Sequence, residues 1–576
     1  MSDSDTSALL KADRIFFNGS IVTMNEGEAA PPEAVAVRGE KIVFVGDLAE
    51  AEAQWKGNST RMQDLRGECL LPGFIDAHGH MGGVGLQAML ANLLAEPDGK
   101  VASVEDVVGT LSAWAKTDVG KRSKWIIGMG YDDSLIGGHP TLEDLERVSD
   151  ADGQNRPVLA VHQSAHLGVV NAEGLRLLGY DLGAPQPLEE TVFDPAFDLA
   201  VSGLNPLDSA GLYAAGRKEY NGFGFTTAQD GGVKRPILDY LRGLQNSTGF
   251  LIDLAVYFKA SELVTDADWD RLDVKDDYFR GMRLAGVKLV LDGSPQGRTA
   301  WLTEPYFVQP VPGKEDGYSG YRILSDEDAN DKVYQAFRRN IQVIAHVNGD
   351  AAIDQFIAAV DAACQRLGEP NAVHRRPVAI HAQTARRDQI EAFARLGIIP
   401  SFFTMHTFYW GEWYRSTVLG GARAENISPT AWALENGLRY TAHHDAPVAL
   451  ANSIAILSSQ VTRVTRTTSA GGGTVIGAEQ RVSVRDALRS LTSNAAYQYF
   501  EEKTKGTIET GKLADLVVLS VDPLTLAEPE NLKSWEDVRV VETIRRGTTR
   551  FGSGEVKESE AGPEVANLGA LVQYHC

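Results

Sequence analysis

From about residue 222 the chain repeats one unit, a short apolar run rich in β-branched and aromatic residues followed by a stretch with helical spacing. The runs read GFTTAQDGG, FLIDLAVYF, GVKLVLDGS, IQVIAHVNGD, RPVAIHAQT, LGIIPSFFTM and LRYTAHHDAPV. Between them lie segments such as AAIDQFIAAVDAACQRLG, whose Ile353, Phe356, Ile357 and Val360 recur at the period of one helix face. Strands that alternate with helices pair in parallel, because the intervening helix carries the chain back to the starting edge. The earlier run LPGFIDAH, from Leu71, brings the strand count to eight, the number that closes a (β/α)8 TIM barrel. In such barrels reactive groups collect at the C-terminal ends of the strands.

That rule gives the strand ends a meaning. The first run finishes in His78 and His80, which an extended chain points to one side, so both imidazoles can grip one ion. The fourth run carries Lys288 and Asp292, the fifth His346, the sixth His381 and the eighth Asp445. A single buried histidine is usually a core residue with its hydrogen bonds met. Four histidines, a lysine and an aspartate at equivalent places in five strands point to a metal centre, and imidazole with carboxylate suits Zn, while Mn, Fe and Co satisfy the same donors.

A chain of 576 residues exceeds one ordinary core, so satellites to the barrel are expected. Residues 12–70 alternate β-rich runs with Gly- and Asn-containing turns and read as an antiparallel sheet, completed by 500–555 into a small β-sandwich built from both chain ends. The barrel takes 71–84 and 216–499. Residues 85–215 are too long for one crossover helix and read as an inserted subdomain or lid, and 556–576 as a C-terminal tail.

Net charge is −22 with no Lys/Arg run, which argues against a nucleic-acid or anionic-membrane partner. The three cysteines, Cys69, Cys364 and Cys576, are far apart and form neither a disulfide framework nor a CxxC site. No leader pattern and no apolar segment of roughly 20 residues is visible, so the expectation is a cytoplasmic protein without a membrane partner, a homodimer or higher homo-oligomer.

The strings LPGFIDAHGH, GVKLVLDGSPQGRTA, AHVNGDAAID, HDAPV and LTSNAAYQYFEEKTKGTIETGKLADLVVLSVDPL together resemble the amidohydrolase superfamily, specifically its YtcJ-like branch, over roughly 12–550. The resemblance implies a metal-dependent hydrolase. His78 and His80 would hold the more buried ion with Asp445, and His346 and His381 a second. Lys288, once its ammonium has lost its proton on burial, would react with carbon dioxide to give a carbamate that bridges the two. The implied reaction is attack of a metal-activated hydroxide on an amide carbonyl, with Asp445 shuttling the proton to the leaving nitrogen. The same resemblance assigns Asp515 in GKLADLVVL to structure.

Substrate contacts are read from three further places. His166 in VHQSAHLGVVNAEGL resembles the family's histidine of the insertion, as an oxyanion or substrate contact, whereas His162 reads as an ordinary histidine. The aromatic loop PSFFTMHTFYWGEWYRS offers His406 and Trp410, which favours an aryl- or alkyl-substituted N-formyl or N-acyl amine. Asp292 and His444 complete the expected substrate set, His444 standing where relatives have serine in Gly-Ser-Asp. A ring deaminase is the alternative on this barrel, but it usually carries His-x-x-Glu after strand five, where this chain reads His346, Val347, Asn348, Gly349. Ester hydrolysis and metal-dependent decarboxylation use the same constellation.

Overall fold

The computed structural model describes residues 11–553 apart from 28–29, 150–152, 154, 206–210, 310, 312 and 468–472. The repeated unit forms one eight-stranded sheet in chain order: β1 (Phe74–Ile75), β2 (Phe225–Val233), β3 (Asp253–Lys259), β4 (Met282–Val290), β5 (Gln342–Val347), β6 (Val378–His381), β7 (Ile399–Phe402) and β8 (Thr441–Ala442). Each neighbouring pair is parallel. Just beyond the strand ends, β1 and β8 meet where His80 N–H donates to Ala446 O (2.9 Å). Gln498 also joins them, donating to Ala77 O (2.8 Å) and accepting from Thr441 Oγ1 (2.7 Å). The sheet is curled, and the fold is TIM-barrel-like.

Strands covered on both faces read as continuous apolar runs, and β2, β5, β6 and β7 are buried along their whole length. Ile75, Tyr257, Ile344 and Ile380, from β1, β3, β5 and β6, form one cluster with Ala495, Ala496 and Tyr499. The periodic segment after β5 is a helix, Asp350–Leu367, that buries Ile353, Phe356 and Val360. It stops at Gly368, whose φ of 70° gives the left-handed cap that glycine adopts most easily.

Two further sheets are built from the chain ends. Four strands lie within Arg14–Asp64, and five combine Ser20–Ile21 and Cys69–Pro72 with Leu516–Leu519, Val540–Arg545 and Thr548–Phe551. Phe16, Val35, Ile42, Leu70, Leu516 and Ile544 from both sheets share one apolar cluster. The antiparallel reading of 12–70 holds for Arg14–Phe17 with Ala34–Arg38 and for Ala34–Arg38 with Lys41–Gly46, and needs correction elsewhere. Arg14–Phe17 pairs parallel with Arg61–Asp64, because the helix Leu48–Trp55 returns the chain to the starting end, and Ser20–Ile21 pairs parallel with Cys69–Pro72.

The N-terminal end of β3 is anchored to the C-terminal segment by buried charge. Asp253 binds Lys505 (2.6 Å), Arg546 (3.4 Å) and Arg545, and Lys505 also reaches Glu501 (3.1 Å) and Asp515 (3.9 Å). Asp515 accepts from Arg546 N–H (2.7 Å), at the end of the strand remote from the histidines. The long segment after β1 contains its own five-stranded sheet, from Ala91–Asn92 to Leu188–Glu189. Among the described residues no helix is long and apolar enough to cross a membrane, and Cys69 and Cys364 are free and buried. The tail, with Cys576, lies outside the described residues.

Candidate metal centre

The His-x-His pair is shaped by the glycine between its members. A Cβ at Gly79 would fall 2.4 Å from Tyr220 Oη, 2.7 Å from Asp76 Oδ2 and 2.9 Å from His444 Cε1, so only glycine fits. Asp76 accepts the backbone N–H of His78 (3.0 Å) and of Gln229 (3.1 Å), and burial pushes its carboxyl up to about 7. This cradle sets His78 and His80 side by side, ring centroids 5.2 Å apart, facing Asp445. His78 Nε2 lies 3.2 Å and His80 Nε2 3.5 Å from Asp445 Oδ1.

Each of three imidazoles is held by its Nδ1. The Gln229 amide donates to Ala77 O (3.1 Å) and Tyr499 Oη (2.6 Å), so its oxygen faces His78 Nδ1 (2.5 Å) and fixes the proton there. Asp292 Oδ1 takes the same role toward His346 Nδ1 (3.2 Å), and His443 Nε2 faces His381 Nδ1 (3.0 Å). The Nε2 lone pair of His78 then looks inward. His381 Nε2 is 3.8 Å from Asp445 Oδ2, the His346 and His381 rings are 4.6 Å apart, and Lys288 Nζ on β4 is 2.9 Å from His78 Nε2. Asn348 Nδ2 stands 3.2 Å from His346 Nε2.

Burial lowers the pKa of His78, His346 and His381, and lowers His80 to about 4 with help from the Lys288 charge, so all four are neutral and ligand-ready. Burial alone would raise Asp445, but the facing imidazoles of His381, His78 and His80 outweigh it and hold the carboxyl well below its usual range. His381 (φ 70°), Ala382 (φ 43°) and Asp445 (φ 52°) all sit in the left-handed region, which costs about 1–3 kcal/mol each and concentrates at functional sites. The decisive test of fit is polar: His80 Nε2 and Asp445 Oδ1 are buried without a hydrogen-bond partner, in a cluster whose donor atoms lie within 4.8 Å of one another. A divalent ion satisfies such atoms, and imidazole with carboxylate is the donor set it prefers.

The inserted segment delivers His166 to this centre. Ser164 Oγ accepts His166 N–H (3.3 Å), and Ala165 turns the chain at φ 59°. His166 Nδ1 meets Glu190 Oε2 at 2.8 Å, and its ring stands 5.0 Å from that of His346. Burial opposes the imidazolium, but the Glu190 charge outweighs it and raises His166.

The remaining expected contacts sit as follows. Asp292 spends its oxygens on the N–H groups of Trp301 (3.1 Å), Asn348 (3.0 Å) and Gly349 (2.7 Å) as well as on His346, and burial pushes it to about 7. Trp410 is 1% exposed and donates to Asp132 Oδ2 (3.1 Å). His406, on the same helix (His406–Trp413), packs on Phe403 (4.3 Å between centroids) and reaches Tyr414 Oη with Nδ1 (2.6 Å). Met405, Phe408 and Tyr409, at the start of that helix, line a cavity of about 530 Å³ that none of the candidate ligands lines. His444 faces Asp76 (3.4 Å) and lies between Tyr220 and Phe225.

A second buried group, Asp132, Asp133 and His162, also brings three donors together. Ser164 N–H donates to His162 Nδ1 (3.0 Å), so Nε2 carries the proton and donates to Asp133 (3.0 Å). Asp132 is already paired with Arg466 (2.5 Å) and Trp410. This group does not fit an ion; it fastens the insertion to the barrel loops.

Sequence reasoning did not assign Gln229, Glu190, Asp132 and His443. Gln229 alone carried a signal, a buried amide in the middle of an apolar strand; the others depend on contacts 24 to 334 residues away.

A sequence profile of the amidohydrolase family matches residues 61–551. The putative amidohydrolase YtcJ of Bacillus subtilis is 24% identical over 92% of this chain and 98% of its own length. N-substituted formamide deformylase of Arthrobacter pascens is 23% identical over 94% of this chain and 98% of its own. An uncharacterized metal-dependent hydrolase from Pyrococcus furiosus shares the fold, with a TM-score of 0.68 and 22% identity over 89% of this chain and 100% of that one. With its histidines and aspartate gathered at the strand ends of such a barrel, the chain belongs to the amidohydrolase family.

Proposed function

We propose that the protein hydrolyses a non-peptide carbon–nitrogen bond of a small N-formyl or N-acyl amine with an aryl or alkyl substituent. The observation that carries this reading is the convergence of His78, His80 and Asp445 on one point, where His80 Nε2 and Asp445 Oδ1 are buried without a hydrogen-bond partner. One divalent ion, Zn in the first instance, would be held by His78, His80 and Asp445, and a second by His346 and His381, with Lys288 as its carbamate a further ligand. An ion so placed acts as a Lewis acid and makes water a usable nucleophile near neutral pH.

The chain's own groups then do the rest. Asp445, kept ionised by its imidazole neighbours, accepts the proton of the attacking water and passes it to the leaving nitrogen. His166, held as a donor by Glu190 beside His346, steadies the negative charge developing on the carbonyl oxygen. His406, in its aromatic setting of Phe403, Trp410 and Tyr414, favours an apolar substituent. Asp292, Trp410 and His444 act through the groups they hold.

The proposed organisation assigns 71–84 and 216–499 to the barrel, the two end-built sheets to a β-sandwich, and 85–215 to a lid. The protein is proposed to act in the cytoplasm as a homo-oligomer on a small molecule. The test is metal content per chain on protein purified without added metal, for wild type and Lys288→Ala, with a panel of N-formyl and N-acyl aryl amines. Nearly two ions falling to one or none, with loss of activity, is expected. One ion in both proteins removes Lys288 from the ligand set, and none in either, after metal loss during purification is ruled out, refutes the reading.

A further inference from the structure

His443 is buried to 0% exposure between two polar partners. Its backbone N–H is pinned to Phe402 O (3.1 Å), its Nδ1 lies 2.9 Å from Ser401 Oγ, and its Nε2 lies 3.0 Å from His381 Nδ1. Two imidazole nitrogens at that distance share one proton. If His443 Nε2 carries it, His381 Nδ1 is the acceptor and His381 places its own proton on Nε2, aimed at Asp445 Oδ2 3.8 Å away. If His381 Nδ1 carries it, His381 Nε2 keeps its lone pair, and His443, protonated on Nδ1, donates to Ser401. A single constraint fixes the direction of the whole chain.

We propose that His443 is a positioning residue: the Ser401–His443–His381 chain selects the tautomer and ring orientation in which His381 offers Nε2 to a divalent ion. The inference rests on the metal-centre reading above. Metal-bound histidines ordinarily donate their other N–H to a carboxylate, a backbone carbonyl or water, and loss of such a partner weakens metal affinity. A neutral imidazole takes that place here. It differs from a carboxylate because it can reverse its proton order, so ion release and reversal of the chain go together. The left-handed φ of 70° at His381 marks a backbone held against its preference, and its ring needs a fixed partner to stay aimed.

The experiment uses the full-length protein stripped of metal and titrated with Co2+ in competition with a chelator, the cobalt ligand-field spectrum being recorded in parallel. His443→Leu, which leaves His381 Nδ1 without an acceptor, is expected to weaken cobalt affinity about 10- to 100-fold and to alter the spectrum. His443→Gln, whose amide oxygen accepts from His381 and whose NH2 donates to Ser401, is expected to restore both. Ser401→Ala, a milder change that keeps the core filled, is expected to weaken affinity about two- to tenfold and stands in if the leucine variant does not fold. Wild-type affinity and spectrum in the His443→Leu protein, or in Ser401→Ala where that must serve, would overturn the inference while leaving the metal centre standing. Failure of the wild type to bind cobalt overturns both.

Discussion

Replacing Asp253 with asparagine tests how the barrel is joined to the chain ends. The carboxylate sits fully buried at the start of β3 and balances Lys505 at 2.6 Å, Arg546 at 3.4 Å and Arg545. Burial works to raise its pKa, but the three cations outweigh burial and hold it well below the usual carboxylate range. Removing one partner of a buried charge network leaves uncompensated charge and costs about 3–5 kcal/mol, a large share of a stability of about 5–15 kcal/mol. The pH dependence has a definite sign. A depressed carboxylate contributes stability that is complete above its unfolded pKa of about 3.9 and is lost as pH falls through the native value. Below pH 4 the wild type therefore loses about 1.4 kcal/mol per pH unit from this group, a component absent from D253N. Asp515 behaves oppositely. Burial raises it, so its contribution is present at low pH and fades as pH rises through its folded pKa, and D515N, which keeps an acceptor for Arg546 N–H, costs about 1 kcal/mol or less. Equilibrium urea unfolding followed by circular dichroism between pH 7 and pH 3 measures both variants. A loss below about 1 kcal/mol in D253N with an unchanged acid slope would refute the claim that this network clamps the two regions.

Asp445→Asn is expected to lower kcat/KM by at least about 10³-fold while retaining one ion per chain, checked by turnover and metal analysis side by side. Gln229→Leu strips His78 Nδ1 of its acceptor and should weaken cobalt binding about 10- to 100-fold; equal affinity would show that Gln229 does not set the His78 tautomer. Glu190→Gln removes the charge that raises His166, so an NMR titration of His166 should show its imidazolium lost at lower pH than in the wild type. Dialysis against a chelator should abolish turnover and divalent metal restore it, whereas activity persisting in demonstrably metal-free protein contradicts the proposed chemistry.

The barrel was legible because its signal is local. Apolar runs and helical spacing are properties of ten consecutive residues, and all eight runs became strands of one parallel sheet. The histidines were legible for a related reason, since the end of a strand is a place that sequence can identify. Their supports were not. Gln229 reaches His78 across 151 residues and His443 reaches His381 across 62, and no periodicity marks such pairs. The antiparallel pairs of 12–70 were legible and its parallel pairs were not, because β-rich runs separated by turns look alike whether the next strand returns beside its neighbour or crosses over. The helix Leu48–Trp55 is what makes Arg14–Phe17 and Arg61–Asp64 parallel.

The insertion touches the candidate site at two places. It supplies His166 to the ring of His346, and Asp132, three residues before Leu135, to Trp410 and Arg466. Both contacts reach the loops at the C-terminal ends of the strands, one from the side of β5 and the other from the loops after β7 and β8. If the insertion moves away, His166 and the partner of Trp410 leave together, while His78, His80, His346, His381 and Asp445 keep all their barrel contacts. Metal binding and turnover are therefore expected to respond separately to changes in the insertion. Asp132→Ala, which leaves Arg466 and Trp410 without their shared acceptor, should preserve metal stoichiometry and lower kcat/KM. Loss of metal in that variant would mean that the insertion helps to build the ion site itself.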